Sequence, residues 1–251
     1  MGMIVDMKGK AALVTGAASG LGRATAVKLA EAGADLCLVD INADWLAETA
    51  TKLGNVQVVT HVANLAEPQA CKNAVAQAVA RFGRLDALCN IAGIIKFANS
   101  HEMAEADYLR TIAINLNAPF FLSQAAIPHL LETNGAIVNC ASSAAFIGEA
   151  YATAYCASKA GIVNMTKAMA MEYSRKSIRI NAVAPGGMMT NIGVDMTMPE
   201  GVEYDLIQRY SGLRGLVEVD DVADLFAMLA SPAGRSYHGA CISIDAGITA
   251  G

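Results

Sequence analysis

Residues 11–22 read Ala-Ala-Leu-Val-Thr-Gly-Ala-Ala-Ser-Gly-Leu-Gly. The run Ala11–Thr15 has the length and composition of a buried strand, and a helical pattern, Leu21–Ala32, starts where the glycines end. Gly16 permits the tight turn between them, while Gly20 and Gly22 allow backbone to approach a ligand and the helix to pack closely on its strand. A helix N-terminus at that turn offers free N–H groups and a positive dipole end, which suit a pyrophosphate. Gly16, Ser19, Gly20, Leu21 and Gly22 are therefore candidate cofactor-binding residues. The spacing is GxxxGxG in a chain with 22 glycines, so a turn with incidental glycines is the competing reading.

Outward from this turn, short apolar runs alternate with helical stretches. Candidate strands are Ala11–Thr15, Leu36–Asp40, Val56–Val62, Ala87–Asn90, Ala136–Cys140, Arg179–Val183 and Cys241–Ile244. Candidate helices are Leu21–Ala32, Ala43–Leu53, Gln69–Phe82, Ala104–Leu131, Tyr155–Ser174 and Val219–Leu229. Gly33 and Gly54 read as stop signals for the first two helices, and Pro119 and Pro128 should bend or break the fourth. Several strands are continuously apolar, as parallel strands covered on both faces are. The alternation predicts an α/β chain, a doubly wound parallel sheet in one domain spanning residues 1–251. Ligands of such sheets lie at the carboxyl ends of the strands.

Asp40 ends the second strand, eighteen residues past Gly22. A carboxylate there accepts hydrogen bonds from adenosine ribose hydroxyls and repels a 2′-phosphate, which favours NAD over NADP. No Lys or Arg follows among Ile41, Asn42 and Ala43; a helix-capping Asp is the alternative reading. Tyr155 and Lys159 stand one helical turn apart. A free tyrosine is a poor base at neutral pH, and a neighbouring ammonium favours its phenolate. Ser142 lies thirteen residues before Tyr155, just past the fifth strand, where its hydroxyl can meet a substrate oxygen; Ser143 competes for that role, and both can cap a turn. Asn115 interrupts the apolar segment Ile112–Phe121, as a site residue or as a satisfied core amide.

Taken together, Thr15–Gly22, Asn90-Ile91-Ala92-Gly93, Asn115, Ser142, Tyr155/Lys159 and Asn181-Ala182-Val183-Ala184-Pro185-Gly186 resemble the short-chain dehydrogenase/reductase family over essentially the whole chain. The resemblance implies a Rossmann-like sheet of seven strands in order 3-2-1-4-5-6-7. It implies Tyr155 as general acid/base, Lys159 as its activator and a ribose ligand, Ser142 as substrate orienter, and Asn115 as holder of a water that links Lys159 to solvent. It also implies that Asn90, Ala92 and Gly93 lie along the cofactor, Asn64 and Leu65 near adenine, and Pro185, Gly186, Met188 and Thr190 around the nicotinamide. The chain departs from the family pattern at Asn64, where Asp is common, at Ile91, and at Asp245-Ala246-Gly247 in place of Asp-Gly-Gly.

The family's mobile lid corresponds to residues 188–214. In it Met188, Met189, Ile192, Val194, Met196 and Met198 are apolar, Gly193 and Gly201 are candidate hinges, and no Lys, Arg or His occurs between Met188 and Gly201. With Ile94, Ile95, Phe146 and Ile147 these residues predict a pocket for a neutral, mainly hydrophobic secondary alcohol or ketone, bulky or cyclic. Simple burial of the lid is the alternative. Two further functions stay open: reduction of 3-oxoacyl thioesters on a carrier protein, which Asp40 disfavours, and a non-catalytic dinucleotide sensor, which has no need of Ser142, Tyr155 and Lys159.

Composition narrows the classes. With 54% hydrophobic and 16% charged residues and a net charge of −5, nothing favours disorder, nucleic acid or an anionic membrane. Six cysteines are scattered singly, with no CxxC pair and no histidine spacing suited to zinc, so no metal is expected. No run of about eighteen apolar residues or secretory h-region occurs, which predicts a soluble cytoplasmic protein. The stretches Asn115–Leu131 and Tyr155–Ser174 are apolar or small on more than one face, which predicts a homo-oligomer; the family resemblance implies a tetramer.

Overall fold

Seven apolar runs become seven parallel strands of one sheet: β1 (Ala11–Thr15), β2 (Asp35–Asp40), β3 (Val58–Val62), β4 (Ala87–Asn90), β5 (Ala136–Cys140), β6 (Arg179–Pro185) and β7 (Cys241–Ile244). The structure is a computed structural model describing residues 5–190, 197–208, 212 and 214–250. The strand order is β3-β2-β1-β4-β5-β6-β7, as expected. The order reverses between β1 and β4, so the crevice at their carboxyl ends lies beside the Gly16 turn.

Helices cover both faces: α1 (Gly20–Glu31), α2 (Ala43–Ala50), α3 (Pro68–Phe82), α4 (Glu105–Ile112), α5 (Ala118–Thr133), α6 (Thr153–Glu172), α7 (Tyr204–Gln208) and α8 (Val219–Ala230). Side chains alternate along each strand. Ala12, Val14, Leu36 and Leu38 pack with Leu29 of α1 and Phe226 of α8, whereas Leu13, Cys37 and Val39 pack with Val75 of α3 and Leu122 of α5. Two-sided burial explains why the strands read as continuous apolar runs.

Two expectations about helix ends need correction. The second helix stops at Ala50, not Leu53; Thr51 is its C-cap and its hydroxyl donates to the Glu48 carbonyl, so Gly54 (φ +67°) serves the turn into β3. The stretch Ala104–Leu131 breaks before its prolines, in a π-helical segment at Ala113–Asn117. There the Ala118 N–H donates to the Ala113 carbonyl, five residues back. Pro119 has no N–H, so the Asn115 carbonyl loses its ordinary α-helical donor. Pro128 stays inside α5, where the carbonyl it leaves without a donor is that of exposed Gln124. Within the expected lid, Ile192, Gly193, Val194, Met196 and Arg209 lie outside the described residues.

Candidate active site

The β1–α1 turn is built for close approach. Gly16 has φ +69°, and a Cβ there would lie 2.9 Å from the Ala92 Cα; a Cβ on Gly22 would lie 2.0 Å from the Gly16 carbonyl oxygen. Larger residues would push the turn off both β4 and the helix. Thr15 closes the crevice from beneath: its Oγ1 accepts the N–H groups of Ile91 (2.9 Å) and Ala92 (3.0 Å). Ser19, the N-cap of α1, makes no side-chain capping bond, and the first turn has no acidic residue. The helix end therefore keeps its positive dipole and free donors. Thr190 stands over this turn, its Cβ 3.1 Å from where a Gly20 Cβ would be. Leu21 is buried in the core under the helix. A narrow cradle of N–H groups, with the Arg23 guanidinium donating to the Ala18 carbonyl of the turn, fits a dinucleotide pyrophosphate.

Asp40 does two things at once. Its Oδ2 accepts the Ala18 N–H (3.1 Å) and its Oδ1 the Asn42 N–H (3.0 Å), so it caps a turn and also faces the glycine loop. Four lone-pair sites on a carboxylate leave acceptor capacity beyond these two bonds. Asn64 is exposed, its Oδ1 accepting the Ala66 N–H (3.2 Å), and Leu65 is buried in the core. The Asn90 side chain turns away from the crevice, donating to Asn139 Oδ1 (2.8 Å) and Ser123 Oγ (3.4 Å), so only its main chain can border a cofactor. Pro185 ends β6 opposite Ile244; at Gly186 a Cβ would lie 2.9 Å from the Asp245 Cα. Met188 packs against the α1/α8 core, and Met189 is 80% exposed. The Asp245–Gly247 departure is a backbone matter: Ala246 adopts φ +53°, and Asp245 accepts the N–H groups of Gly247 and Thr249.

At the ends of β4 and β5 the structure brings Asn115, Ser142, Tyr155 and Lys159 together. Tyr155 and Lys159 lie in the first two turns of α6, with Lys159 Nζ 5.5 Å from the Tyr155 ring centroid. Ser142, rather than Ser143, is the serine that acts on the Tyr155 phenol, drawing its pKa down, and its Oγ accepts the Ala144 N–H (3.2 Å). Lys159 is 3% exposed and donates to the Cys140 carbonyl (2.7 Å). Desolvation lowers its pKa.

Two electrostatic and hydrogen-bond expectations change here. The Tyr155 phenol is pushed well above its ordinary pKa, chiefly by burial and then by Cys140, with the Ser142 hydroxyl acting the other way. Lys159 turns its ammonium to a carbonyl instead, so the chain's own groups hold Tyr155 protonated. Asn115 spends its side chain on the loop after β4: Nδ2 donates to the Ile94 carbonyl (2.8 Å) and Ser158 Oγ (3.1 Å), and Oδ1 accepts the Ile94 N–H (2.9 Å). Any link from Asn115 to Lys159 must then run through its main-chain carbonyl, in the π-helical segment. Gly93 lies between the two, 3.4 Å (Asn115 Oδ1) and 3.6 Å (Lys159 Nζ) from its Cβ position.

Sequence reasoning passed over Thr15 as an acceptor, Ser158, Tyr151 and Glu149. Thr15 and Ser158 carry no local signal, since their partners lie in other elements. Glu149 did carry one, being the single charged residue between Ala141 and Ser158. Among the described residues there is no cluster of three metal-ligating side chains, and no helix is long and apolar enough to cross a membrane.

Comparison with known proteins agrees with this geometry. A family model described as short chain dehydrogenase matches residues 10–200. The chain is 37% identical to a D-threitol dehydrogenase of Mycolicibacterium smegmatis, covering 97% of this chain and 94% of that protein. It is 36% identical to a 3-oxoacyl-[acyl-carrier-protein] reductase of Thermotoga maritima, covering 96% and 98% respectively. Among solved structures, a short chain dehydrogenase from Burkholderia cenocepacia in complex with NADP superposes with TM-score 0.87 at 32% identity, covering 96% of this chain and 98% of that one. One from Mycobacterium paratuberculosis bound to NAD gives TM-score 0.90 at 28% identity, covering 98% and 100%.

Proposed function

The chain belongs to the short-chain dehydrogenase family, and from that premise we propose that it interconverts a neutral, mainly hydrophobic secondary alcohol and its ketone, with NAD(H) as hydride carrier and Tyr155 as general acid/base. The observation that carries the reading is the gathering of buried Ser142, Tyr155 and buried Lys159 at the carboxyl edge of the sheet, with Lys159 Nζ 5.5 Å from the Tyr155 ring centroid.

Gly16, Ser19, Gly20, Leu21 and Gly22 hold the cofactor's pyrophosphate through the N-terminus of α1, and Asp40 takes the adenosine ribose hydroxyls. Asn64 and Leu65 flank adenine; Ala92, Gly93 and the Asn90 main chain border the ribose; Pro185, Gly186, Met188 and Thr190 border the nicotinamide. A bound nicotinamide supplies the hydride acceptor for oxidation or the donor for reduction. Ser142 fixes the substrate oxygen beside the Tyr155 phenol. In reduction Tyr155, held protonated by burial, gives its proton to the carbonyl oxygen. In oxidation Tyr155 first releases its proton to solvent, Lys159 stabilises the resulting phenolate, and that phenolate takes the alcohol proton. One of the three Lys159 N–H bonds is spent on Cys140, leaving two for ribose hydroxyls. Asn115 pins the Ile94 loop against α6, so that Gly93 and Lys159 keep their spacing.

Asp40, and the absence of a basic residue directly after it, support NAD over NADP. Ile94, Ile95, Phe146 and Ile147 support an apolar pocket. Six unpaired cysteines suit a cytoplasmic setting, and the exposed Tyr108, Leu109 and Phe120 on α4 and α5 suit burial in a homotetramer. A stable monomer in light scattering at micromolar concentration would refute that assembly. A second reading, carrier-linked 3-oxoacyl reduction, is favoured by the Thermotoga maritima relative and is tested by NADPH-dependent reduction of an acetoacetyl thioester.

The test is nicotinamide absorbance with a panel of linear, cyclic and polyhydroxy alcohols, in the wild type and Tyr155→Phe. Turnover should fall on the order of 100-fold or more in the variant. Near-normal turnover by Tyr155→Phe would sink the assignment.

A further inference from the structure

The β5–α6 loop holds its only charged residue, Glu149, by the main chain. The Glu149 N–H donates to Cys156 Sγ (3.4 Å), next to Tyr155, and the Glu149 carbonyl accepts the Ala152 N–H (3.2 Å). Two residues on, Tyr151 adopts φ +66°, a strained conformation for an aromatic residue, and is fixed on both sides. Its carbonyl accepts the Ala98 N–H (2.9 Å) and its hydroxyl the Glu203 N–H (3.0 Å). The loop is thus pinned to α6, to the segment after β4 and to the segment before α7.

The Glu149 carboxyl, by contrast, makes no hydrogen bond or ion pair among the described residues. It is largely withdrawn from water, which raises its pKa to about 7. Its charge reaches both Tyr155 and Cys156, raising their pKa values in turn. Phe146 and Ile147, earlier in the same loop, have no side-chain donor to offer it. A partly desolvated carboxyl without a protein partner is costly, and none of its four acceptor sites is met by a described residue.

We infer that Glu149 is a specificity-determining residue that hydrogen-bonds a second hydroxyl of the substrate, close to the carbinol that reacts at Tyr155, so that diols are preferred to the matching mono-ols. A hydroxyl suits a carboxyl that titrates near neutrality, because it donates to the carboxylate and accepts from the acid. An ammonium group pairs only with the carboxylate, and a second carboxylate is repelled. The inference rests on the dehydrogenase reading in taking Tyr155 as the place of the reacting oxygen, and it narrows that reading to an apolar frame carrying one more hydroxyl.

The test compares cyclohexanol with trans-cyclohexane-1,2-diol in the wild type, Glu149→Gln and Glu149→Leu. Two quantities are measured: kcat/KM by nicotinamide absorbance, and calorimetric affinity of each alcohol for enzyme saturated with NADH. The wild type should prefer the diol in both. Glu149→Leu should lower the diol-to-mono-ol ratio by about 10- to 100-fold, and Glu149→Gln, which keeps a carbonyl acceptor, by less. Both variants relieve a desolvated carboxyl, so their melting temperatures should not fall; if the Leu variant does not fold, Glu149→Gln carries the comparison. An unchanged ratio in the folded variants overturns the role of Glu149 and leaves the dehydrogenase reading intact. No turnover with any alcohol overturns the dehydrogenase reading, and the affinity ratio then still decides for or against Glu149.

Discussion

Replacing Asp40 by Asn tests the cofactor assignment at the residue that carries it, and the structure sets the size of the effect. In the wild type the carboxylate holds the Ala18 and Asn42 N–H groups, one on each oxygen. A unit charge pair about 4 Å apart is worth about 1 kcal/mol in water and about 4 kcal/mol at an effective dielectric of about 20. Asp40 is half-buried at a loop edge, so repulsion of a 2′-phosphate falls toward the low end, about 1–2 kcal/mol. Hydrogen bonds from two ribose hydroxyls to a charged acceptor add about 1–2 kcal/mol for NAD alone. The sum predicts a wild-type preference for NAD of about 30- to 1000-fold in kcat/KM. Asp40→Asn removes the charge and one of the two backbone bonds, since a single amide oxygen cannot replace both carboxylate oxygens. NAD efficiency should therefore fall while NADP efficiency rises, narrowing the ratio by about 10- to 100-fold. The assay is steady-state kinetics with both cofactors at one saturating alcohol concentration. A wild type that favours NADP, or an Asp40→Asn ratio equal to the wild-type ratio, refutes the reasoning.

Asn115→Leu should cost about 1–3 kcal/mol of stability and at least 10-fold in kcat, because the half-buried Ile94 backbone groups lose their partners; a kcat loss without any fall in melting temperature would contradict the positioning role. Arg179→Met, at the opposite end of the sheet, removes a guanidinium that caps the Leu229, Ser231 and Gly234 carbonyls (2.7, 2.9 and 3.0 Å). It should destabilise by about 3–5 kcal/mol and leave kcat per folded molecule unchanged, so an unaltered denaturation midpoint would count against the cap. Glu149 binds its proton more tightly folded (pKa about 7) than at its ordinary value of 4.5, so stability falls as pH rises through that window. Tyr155 and Cys156, the groups its charge reaches, stay neutral over that range, their pKa values being raised as well. Glu149→Gln should therefore be more stable than wild type by about 1–2 kcal/mol at pH 8 and equal to it near pH 4.5; a constant difference across pH would refute this.

The sheet was legible because its information is local. Four strands, Ala11–Thr15, Ala87–Asn90, Ala136–Cys140 and Cys241–Ile244, have the bounds that their apolar runs predict, and the others differ by two residues or fewer at an end. The glycine turn and the Tyr155/Lys159 pair were legible for the same reason, since a strand-to-helix junction and a one-turn spacing are written in contiguous residues. What the sequence could not decide were quantities set by neighbours distant along the chain. The break in the fourth helix falls at Ala113–Asn117, where Asn115 reaches Ile94 twenty-one residues earlier and Ser158 forty-three residues later. Spacing alone pointed to a lowered pKa for Tyr155. Tertiary packing reversed the direction, because burial removes water from the phenolate while the Lys159 ammonium is drawn to the Cys140 carbonyl. The same holds for Glu149: its charge is plain in the sequence, but only the folded loop takes its carboxyl from water and leaves it without a partner beside Tyr155.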